Sequence, residues 1–232
     1  MTAGLPHEAA PEAEPVTLDD VQNDPRFSAF IAQADRMMEG LGYTEHGFRH
    51  AGLTGKIARN VLHRLGYDAH TATLGALAGY LHDIGNTVSR RSHGQTGAIL
   101  IHDVLRDRMP PQDLAVIMGA VGNHEEEYGQ AVGPVAAAVI LADKSDVHRS
   151  RVRKEAKIEF DVHDRVNYAA EQSFLRVDSA ARTVTLELTI DTEISHVMEY
   201  FEIFLDRMVM CRRAAEQLDC RFSLEINGAR LL

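Results

Sequence analysis

Histidine is abundant in this chain, and some of it stands beside aspartate in apolar surroundings. The 232 residues include 12 His, roughly double the number that average usage implies. Imidazole and carboxylate groups together suit Mn²⁺, Fe²⁺, Zn²⁺ or Ni²⁺ better than Ca²⁺ or Mg²⁺ alone. The candidate ligands of such a metal are His46, His82, Asp83, His93, His124 and Asp143.

Two of these positions interrupt apolar segments, where an ionisable group needs a partner. Asp143 follows AAAVILA, and His82-Asp83 follows GALAGYL. A buried carboxylate needs a cation or several hydrogen-bond donors. A single buried His or Asp is more often a hydrogen-bonded core residue than a ligand. Several candidates on different helices nevertheless favour a shared metal site, because helical bundles build such sites from facing helices.

The other histidines are expected to have ordinary roles. His102-Asp103 is a second His-Asp pair, but it lies within a predicted helix and no glycine follows it. His50 lies one helical turn from His46, so periodicity does not choose between them. His50 could be a second ligand, a group that orients a ligand or a packed core residue, and we favour the latter two interpretations. Polar neighbours predict that the following are solvated: His63, His70, His148, His163 and His196.

Hydrophobic periodicity places the candidates on a series of helices. Apolar residues recur at three- and four-residue steps, and glycine or proline ends most of the runs. The predicted helices cover residues 27–40, 45–65, 68–83, 96–106, 111–124 and 134–149. Alternating β-branched residues then predict strands. The strands cover 173–177, 183–190 and 221–226, with a long helix at 193–218 and with 230–232 continuing the last strand.

The predicted fold class is therefore mostly α, with a small C-terminal ββαβ appendage. Residues 1–24 are rich in Pro, Ala and Glu without a hydrophobic period, and they are predicted to be a disordered tail. The helical bundle is assigned to residues 25–155. A connecting helix and the α+β appendage are assigned to residues 156–232.

Composition narrows the classes of function. The formal net charge of −10 argues against nucleic acid polymers as partners. The longest uncharged apolar run, residues 135–142, is too short to span a membrane. The N-terminus lacks the basic start and apolar core of a signal peptide. Two cysteines cannot form a disulfide framework, so a cytoplasmic location is expected.

Several segments together resemble the HD superfamily of metal-dependent phosphohydrolases, over about 110 residues of the helical bundle. They are YTEHGFRHAGLTGKIA (43–58), LHDIG (81–85), HGQTGAIL (93–100), NHEE (123–126) and ILADKSDVHRSR (140–151). In that family the first His opens a helix and Arg follows three residues later. His46 and Arg49 match this pattern, which favours His46 over His50 as the first ligand. His82, Asp83 and Asp143 match the core ligands.

The resemblance is to the branch of the family with a dinuclear centre. His93 and His124 match the two additional histidines of that branch, in which Asp83 would bridge the metals. The branch includes the HD-GYP cyclic-dinucleotide phosphodiesterases. This chain departs from them: no Gly-Tyr-Pro follows His124, the segment from His82 to His93 is short, and Asn86 replaces the usual Lys. Cleavage of cyclic dinucleotides is therefore not expected.

The resemblance implies hydrolysis of a phosphate ester of a nucleotide or another small phosphorylated molecule. It implies two divalent transition metal ions, Mn, Fe, Co or Ni, with Zn and Mg as further candidates, and a bridging hydroxide as nucleophile. Asp83, Lys144 and Arg149 are the predicted catalytic residues. Arg90, Arg91 and Arg151 are the predicted phosphate-binding residues, because phosphate requires Arg or Lys donors.

Two other functions and one assembly stay open at this point. The same ligand set resembles that of mixed-valent di-iron oxygenases of the HD superfamily, since the redox chemistry belongs to the metal. A regulatory HD protein that binds a metal or a ligand without turnover is the third reading. The appendage could also pair two copies of the chain into a homodimer.

Overall fold

The structure, a computed structural model, describes residues 15–153 and 162–231. Over these residues a helical body is followed by a four-stranded sheet, so the predicted fold class is confirmed. The helices are α1 (Leu18–Asn23), α2 (Pro25–Gly40), α3 (Phe48–Arg64), α4 (Ala69–Leu81), α5 (His93–Leu105), α6 (Pro111–Gly122), α7 (Pro134–Lys144), α8 (Val162–Ala169) and α9 (Val197–Gln217). The strands are β1 (Ala170–Asp178), β2 (Thr183–Ile190), β3 (Arg221–Ile226) and β4 (Ala229–Arg230).

Helices α4 and α7 form the centre of the helical body because their sequences are apolar on nearly every side. Residues 74–81 of α4 and 135–142 of α7 are all buried. A helix without a polar face belongs in an interior. Helix α3 packs against both, and α6 packs against α4, α5 and α7. In the described ranges no helix combines the length and apolar composition needed to cross a membrane.

The crossing of α3 and α4 depends on glycines that face each other. A Cβ at Gly55 would lie 2.8 Å from the carbonyl oxygen of Ala76, and one at Gly79 would lie 2.9 Å from that of Thr54. We expect Gly55→Ala to lower the free energy of unfolding by about 1–3 kcal/mol, because the two backbones would have to move apart. Chemical denaturation measures this change.

Gly52→Ala is the matched control on the same helix. No atom lies within 4 Å of a Cβ built at Gly52, and Ala favours a helix interior over Gly by about 0.8–1 kcal/mol. We therefore expect Gly52→Ala to raise the free energy of unfolding. Changes of the same sign and size at the two positions would contradict the role of the close crossing.

The sheet joins the helical body through α9. Strands β1 and β2 are antiparallel, whereas β2 and β3 are parallel with α9 as the crossover between them. Burial alternates along β2, and its inward residues are Val184, Leu186, Leu188 and Ile190. Helix α9 packs against α7 as well as against the sheet. The appendage is therefore anchored beside one of the helices that carry candidate ligands.

The prediction that residues 230–232 continue the third strand is wrong. Asn227 and Gly228 have φ values of 52° and 78°, and two such residues form a tight hairpin turn. The chain reverses there, and β4 pairs antiparallel with β3. The appendage is thus ββαββ rather than ββαβ.

The prediction of a disordered tail is wrong for residues 15–24. Thr17 and Asp20 form a capping box at the start of α1, and Val21 is fully buried. Such a box satisfies two backbone N–H groups that the helix leaves unpaired. Residues 1–14 lie outside the described residues, as does the segment 154–161, in which the predicted boundary at 155 falls.

Two helices that carry candidate ligands differ from their predicted bounds. Helix α5 begins at His93 rather than at residue 96, so His93 lies in its first turn. Helix α7 ends at Lys144 rather than at residue 149, and Ser145 Oγ donates to the carbonyl oxygen of Ala142 there. Both differences place a candidate ligand at a helix end, where its side chain can meet residues of neighbouring helices.

Candidate metal centre

The His82-Asp83 pair lies where α4 gives way to a 3₁₀ turn at Ile84–Thr87. His82 keeps helical dihedral angles, and Asp83 has a ψ of −1°. The turn packs against the start of α5, where a Cβ at Gly85 would overlap the carbonyl oxygen of His93. Glycine at this position lets the turn that carries Asp83 approach the helix that carries His93.

Four side chains from α3, α7 and the end of α4 converge in a first ligand group. His50 Nε2 is 3.2 Å from His82 Nε2 and 3.3 Å from Asp143 Oδ1. Asp83 Oδ2 is 3.3 Å from His82 Nε2 and 3.6 Å from His50 Nε2. Two imidazole nitrogens and two carboxylate oxygens therefore surround one small volume. Such a donor set suits a divalent transition metal.

The second carboxylate oxygen of Asp83 faces a second ligand group. Asp83 Oδ1 is 3.1 Å from His93 Nε2 and 3.8 Å from His124 Nε2. The two Nε2 atoms are 2.9 Å apart. Asp83 thus lies between the two groups and directs one oxygen towards each.

Hydrogen bonds on the far side of two rings determine which nitrogen carries the proton. His82 Nδ1 donates to the carbonyl oxygen of Gly79 at 2.8 Å, and His124 Nδ1 donates to that of Val121 at 2.6 Å. A carbonyl oxygen only accepts, so Nδ1 carries a proton and Nε2 is the ring nitrogen directed at the carboxylates. An Nε2 lone pair and a carboxylate oxygen that face each other repel unless a proton or a metal ion lies between them.

His50 and His93 are oriented by carboxylates. His50 Nδ1 donates to Asp146 Oδ2 at 2.7 Å. His93 Nδ1 contacts the Glu125 carboxylate and lies 3.0 Å from the carbonyl oxygen of Arg90. Carboxylate partners of this kind fix the ring and raise the basicity of a metal-binding imidazole. The residues present therefore fit divalent metal ions bound on both sides of Asp83.

The candidate ligand carboxylates stabilise positive charge on the groups next to them. Burial alone would lower the pKa of His82, but Asp83 and Asp143 more than offset it and raise that pKa to about 10. Burial also opposes ionisation of Asp83, yet the neighbouring imidazoles of His82, His124 and His93 hold its pKa well below the usual range. A divalent cation among these groups would compensate the same buried negative charge.

Asp146, which the sequence analysis did not single out, supports the first ligand group. Its carboxylate accepts from His50 Nδ1 and from Arg49 Nη2, the latter at 2.8 Å. Arg151 Nη1 donates to the backbone oxygen of Asp146 at 3.0 Å. Burial would raise the pKa of the Asp146 carboxyl, but His50 and Arg151 hold it well below the usual range. Asp146 is therefore a fixed anion that orients His50.

A charged network runs from Asp143 to the C-terminal helix. Lys144 Nζ lies 2.7 Å from Asp143 Oδ2 and 3.2 Å from Glu126 Oε1. Arg207 Nε, on α9, lies 2.9 Å from the same Glu126 oxygen. Burial opposes ionisation of Glu126, but Lys144 and Arg207 lower its pKa to about 2. The appendage thus contributes a cation beside the ligand groups.

Cations line the opening above the ligand groups. The small cavity there is bounded by Arg90, Lys144, Arg151 and Arg207 together with ligand side chains. A larger cavity of about 320 Å³ shares Arg90, Arg151 and Arg207 and adds the Tyr43 ring. The Arg90 guanidinium lies over that ring, 5.6 Å from its centroid. Four carboxylates, those of Asp83, Glu125, Glu126 and Asp143, line the small cavity beside these cations.

The structure brings most of the predicted site residues together. His82, Asp83, His93, His124 and Asp143 supply the ligand atoms of the two groups. The predicted Lys144, Arg90 and Arg151 line the opening beside them. His50 joins them as a candidate ligand in place of His46, and Asp146 and Arg207 are further residues of the site that no sequence pattern indicated.

The choice of His46 over His50 as the first ligand is corrected. Helix α3 begins only after Gly47, so His46 precedes the helix and His50 takes the inward position of its first turn. His46 Nδ1 donates to the carbonyl oxygen of Thr44 at 2.6 Å, and its ring lies edge-on to that of His50. Among the described residues the ligand groups do not include His46, which lines the opening instead.

Two other predicted residues lie away from the ligand groups, which corrects their assignments. Arg149 Nη2 lies 3.0 Å from Glu171 Oε1, and its guanidinium stacks on Tyr168. Because α7 ends at residue 144, the chain has turned away before Arg149. Arg91 is exposed and lines a neighbouring cavity of about 440 Å³ that also holds Glu125, and it is not among the residues that line the opening.

The histidines expected to have ordinary roles are mostly on the surface. His102 and Asp103 are exposed on α5, so this second His-Asp pair is not part of the centre. His148 is half-buried, and its Nε2 bonds to the carbonyl oxygen of Glu171 at 2.9 Å. The others are exposed: His63, His70, His163 and His196.

Part of the helical body matches a known protein family. Residues 43–148 match the family model described as HD domain. An uncharacterized protein of Methanocaldococcus jannaschii is 23% identical over 199 residues, which cover 75% of this chain and 76% of that protein. The matched family region contains both ligand groups, and the similarity to the archaeal protein extends beyond it.

Proposed function

Since residues 43–148 form an HD domain, of a superfamily of metal-dependent hydrolases, we propose that this protein hydrolyses a phosphate ester of a nucleotide or another small phosphorylated molecule. The observation that carries the proposal is the position of Asp83 between two imidazole groups, with one carboxylate oxygen 3.3 Å from His82 Nε2 and the other 3.1 Å from His93 Nε2. Two metal ions held in this way would supply an activated water and neutralise charge on the phosphate.

The cations around the ligand groups support a phosphate as the reacting group. Arg90, Lys144, Arg151 and Arg207 all line the opening in a chain of net charge −10. Lys144 and Arg207 are partly neutralised by ion pairs with Glu126. The Arg90 guanidinium makes no ion pair with the described residues, and it is therefore the group best placed to bind a phosphate oxygen.

Hydrogen bonds and an ion pair would hold the metal ligands in their orientation. Hydrogen bonds keep protons at Nδ1 of His50, His82, His93 and His124, which makes each Nε2 the atom that would bind metal. Lys144 holds Asp143 ionised and in place through its contact with Oδ2. We propose that it acts through this contact rather than by transferring a proton.

The cavity next to the centre supports a substrate of small size. At about 320 Å³ it is comparable to the smaller ligand sites of proteins. Its wall includes Tyr43 and Asn167 beside the cations. A ring could stack on Tyr43, and a hydroxyl or base edge could pair with the Asn167 amide. These groups suit the sugar or base of a small phosphate ester better than a long polymer.

Metal analysis and activity assays on the purified protein test the proposal. We expect about two Mn, Fe, Co or Ni ions per chain and release of phosphate from a panel of nucleotides and sugar phosphates. His102→Ala should change neither result, since that residue is exposed on α5. Iron-dependent O₂ consumption with a mixed-valent EPR signal would contradict the proposal in favour of an oxygenase. Bound metal without turnover would favour a regulatory protein.

Substitution of Arg207 tests the contribution of the appendage to this site. We expect Arg207→Ala to raise KM for the phosphorylated substrate by about tenfold or more, because a charge-assisted contact is worth about 1.5–3 kcal/mol. Metal content should be unchanged, since Arg207 contacts Glu126 rather than a ligand. Steady-state kinetics and metal analysis measure the two effects.

Arg212→Ala is the control, because Arg212 lies on the same helix and is exposed. It removes the same charge from α9 away from the opening and should leave KM within about twofold of the unmodified protein. An equal rise in KM for both variants would mean that the total charge of α9, and not the position of Arg207, affects substrate binding.

A further inference from the structure

A second cleft lies between α3 and β1, at the junction of the helical body and the sheet. Its volume is about 560 Å³, within the range of small-molecule sites. Residues 145–150 form a third wall, and the cleft shares no lining residue with the cavities at the ligand groups. It is therefore a separate site that the proposed hydrolysis does not use.

The inner walls of this cleft are apolar. Leu53 and Ile57 line it from α3, and Leu175 and Val177 line it from β1. All four are half-buried. A bound apolar group would remove these surfaces from water, and each Å² of apolar surface buried favours binding by about 25 cal/mol. The interior of the cleft thus favours an apolar body.

The rim of the cleft is positively charged. Lys56 and Arg64 line it from α3, two helical turns or about 12 Å apart. Neither makes an ion pair or a side-chain hydrogen bond with residues 15–153 or 162–231. The acidic residue of the lining, Asp146, is already bound to His50 and Arg49. Two unpartnered cations above an apolar interior favour an occupant with an acidic group.

The cleft also contacts the residues that support the metal centre. Arg49 and Asp146 are part of its lining. Asp146 accepts from His50 Nδ1 at 2.7 Å and from Arg49 Nη2 at 2.8 Å. A molecule in the cleft would therefore lie against the pair that orients the ligand His50.

We propose that this cleft binds an amphipathic organic anion and that its occupancy alters the metal centre. The apolar body lies between α3 and β1, and the acidic group lies at Lys56 and Arg64. Arg49 and Asp146 transmit the effect of binding to His50. The binding itself does not depend on which reaction the centre catalyses.

Titration with 8-anilinonaphthalene-1-sulfonate, a fluorescent amphipathic anion, tests the binding. We expect saturable binding of one probe per chain to the natively folded protein. The Lys56→Ala/Arg64→Ala variant should bind the probe at least about tenfold more weakly, because both charged contacts are lost. Circular dichroism and thermal unfolding establish that each variant is folded before the titration.

The control is Arg59→Ala/Arg106→Ala, which removes the same charge from exposed positions that do not line the cleft. It should keep the affinity within about twofold. Equal weakening by both variants, or no effect of Lys56→Ala/Arg64→Ala, would overturn the proposal. Absence of saturable binding would overturn it as well.

The link to the metal centre needs a separate measurement. With Co²⁺ bound to the full-length protein, we expect the visible absorption bands of the ion to shift when the probe saturates the cleft. The Lys56→Ala/Arg64→Ala variant should show no shift at the same probe concentration. Saturable binding with an unchanged spectrum would overturn the effect on the centre.

Discussion

Asp83→Ala is expected to abolish metal binding at both ligand groups and with it the release of phosphate. The carboxylate directs one oxygen to His82 and the other to His93, so its removal takes a ligand from each group. The Nε2 atoms of His93 and His124, 2.9 Å apart, would lose their carboxylate. Loss of an outer hydrogen-bond partner typically costs 10- to 100-fold in metal affinity. Loss of a shared ligand should exceed about 100-fold.

The chain offers a matched control in its second His-Asp pair. Asp103→Ala makes the same substitution at an exposed position of α5. Metal analysis after dialysis and phosphate release should match the unmodified protein for Asp103→Ala and fall to background for Asp83→Ala. Full metal content and activity in Asp83→Ala would mean that the two ligand groups are not a metal centre.

His50→Ala is expected to remove the metal of the first ligand group, whereas His46→Ala is expected to leave the metal content unchanged. His50 Nε2 lies 3.2 Å from His82 Nε2 and 3.3 Å from Asp143 Oδ1. His46 belongs to neither ligand group and lines the opening. Activity should fall more than about 100-fold for His50→Ala. For His46→Ala a change in KM is expected, because His46 lines the cavity in which we propose that the substrate binds.

The two variants control each other, since each removes one imidazole within four residues of the other. Metal analysis of both, followed by kinetics at saturating metal, separates a ligand from a residue that lines the pocket. Loss of one metal in His46→Ala with retention in His50→Ala would reverse the assignment made from the geometry. That result would support His46 as the first ligand, as Arg49, three residues after it, suggested.

Much of the ligand set could be predicted because ligands at helix ends leave a local signal. Asp143 ends a run of eight buried apolar residues, and a carboxylate in that position needs a cation. His82-Asp83 is followed by Gly85, and the fold shows why, since the turn there touches the backbone of His93. Such features depend on a few neighbouring residues and can be interpreted without tertiary information.

The first ligand could not be chosen in the same way, because the choice depends on where α3 begins. His46 and His50 differ by one helical turn and share every periodic pattern. Gly47 at the N-cap places His46 before the helix and starts the buried stripe at His50, Thr54 and Ala58. Gly47 was the signal in the sequence that the helix begins after it. A helix that is predicted to begin at residue 45 includes this glycine and hides the signal.

The cations of the site depend on tertiary packing and were the least predictable part. Arg149 follows the ligand Asp143 closely, yet the chain turns and carries it to Glu171. Arg207 is 64 residues further along than Asp143 in the sequence, yet α9 packs on α7 and brings it to Glu126. Nearness in the sequence therefore misplaced Arg149 and missed Arg207, because the path of the chain after α7 and the docking of the appendage decide which cations reach the opening.

The position of Arg207 has a consequence for the order in which the centre forms during synthesis. Every proposed metal ligand precedes residue 144, whereas α9 begins at Val197 and leaves the ribosome about 50 residues later. Since domains generally fold from the N-terminus as they are made, a nascent chain acquires its proposed ligands before the last of the cations that line the opening. A messenger RNA truncated before the codons of α9 would encode a protein that has every proposed ligand but lacks Arg207.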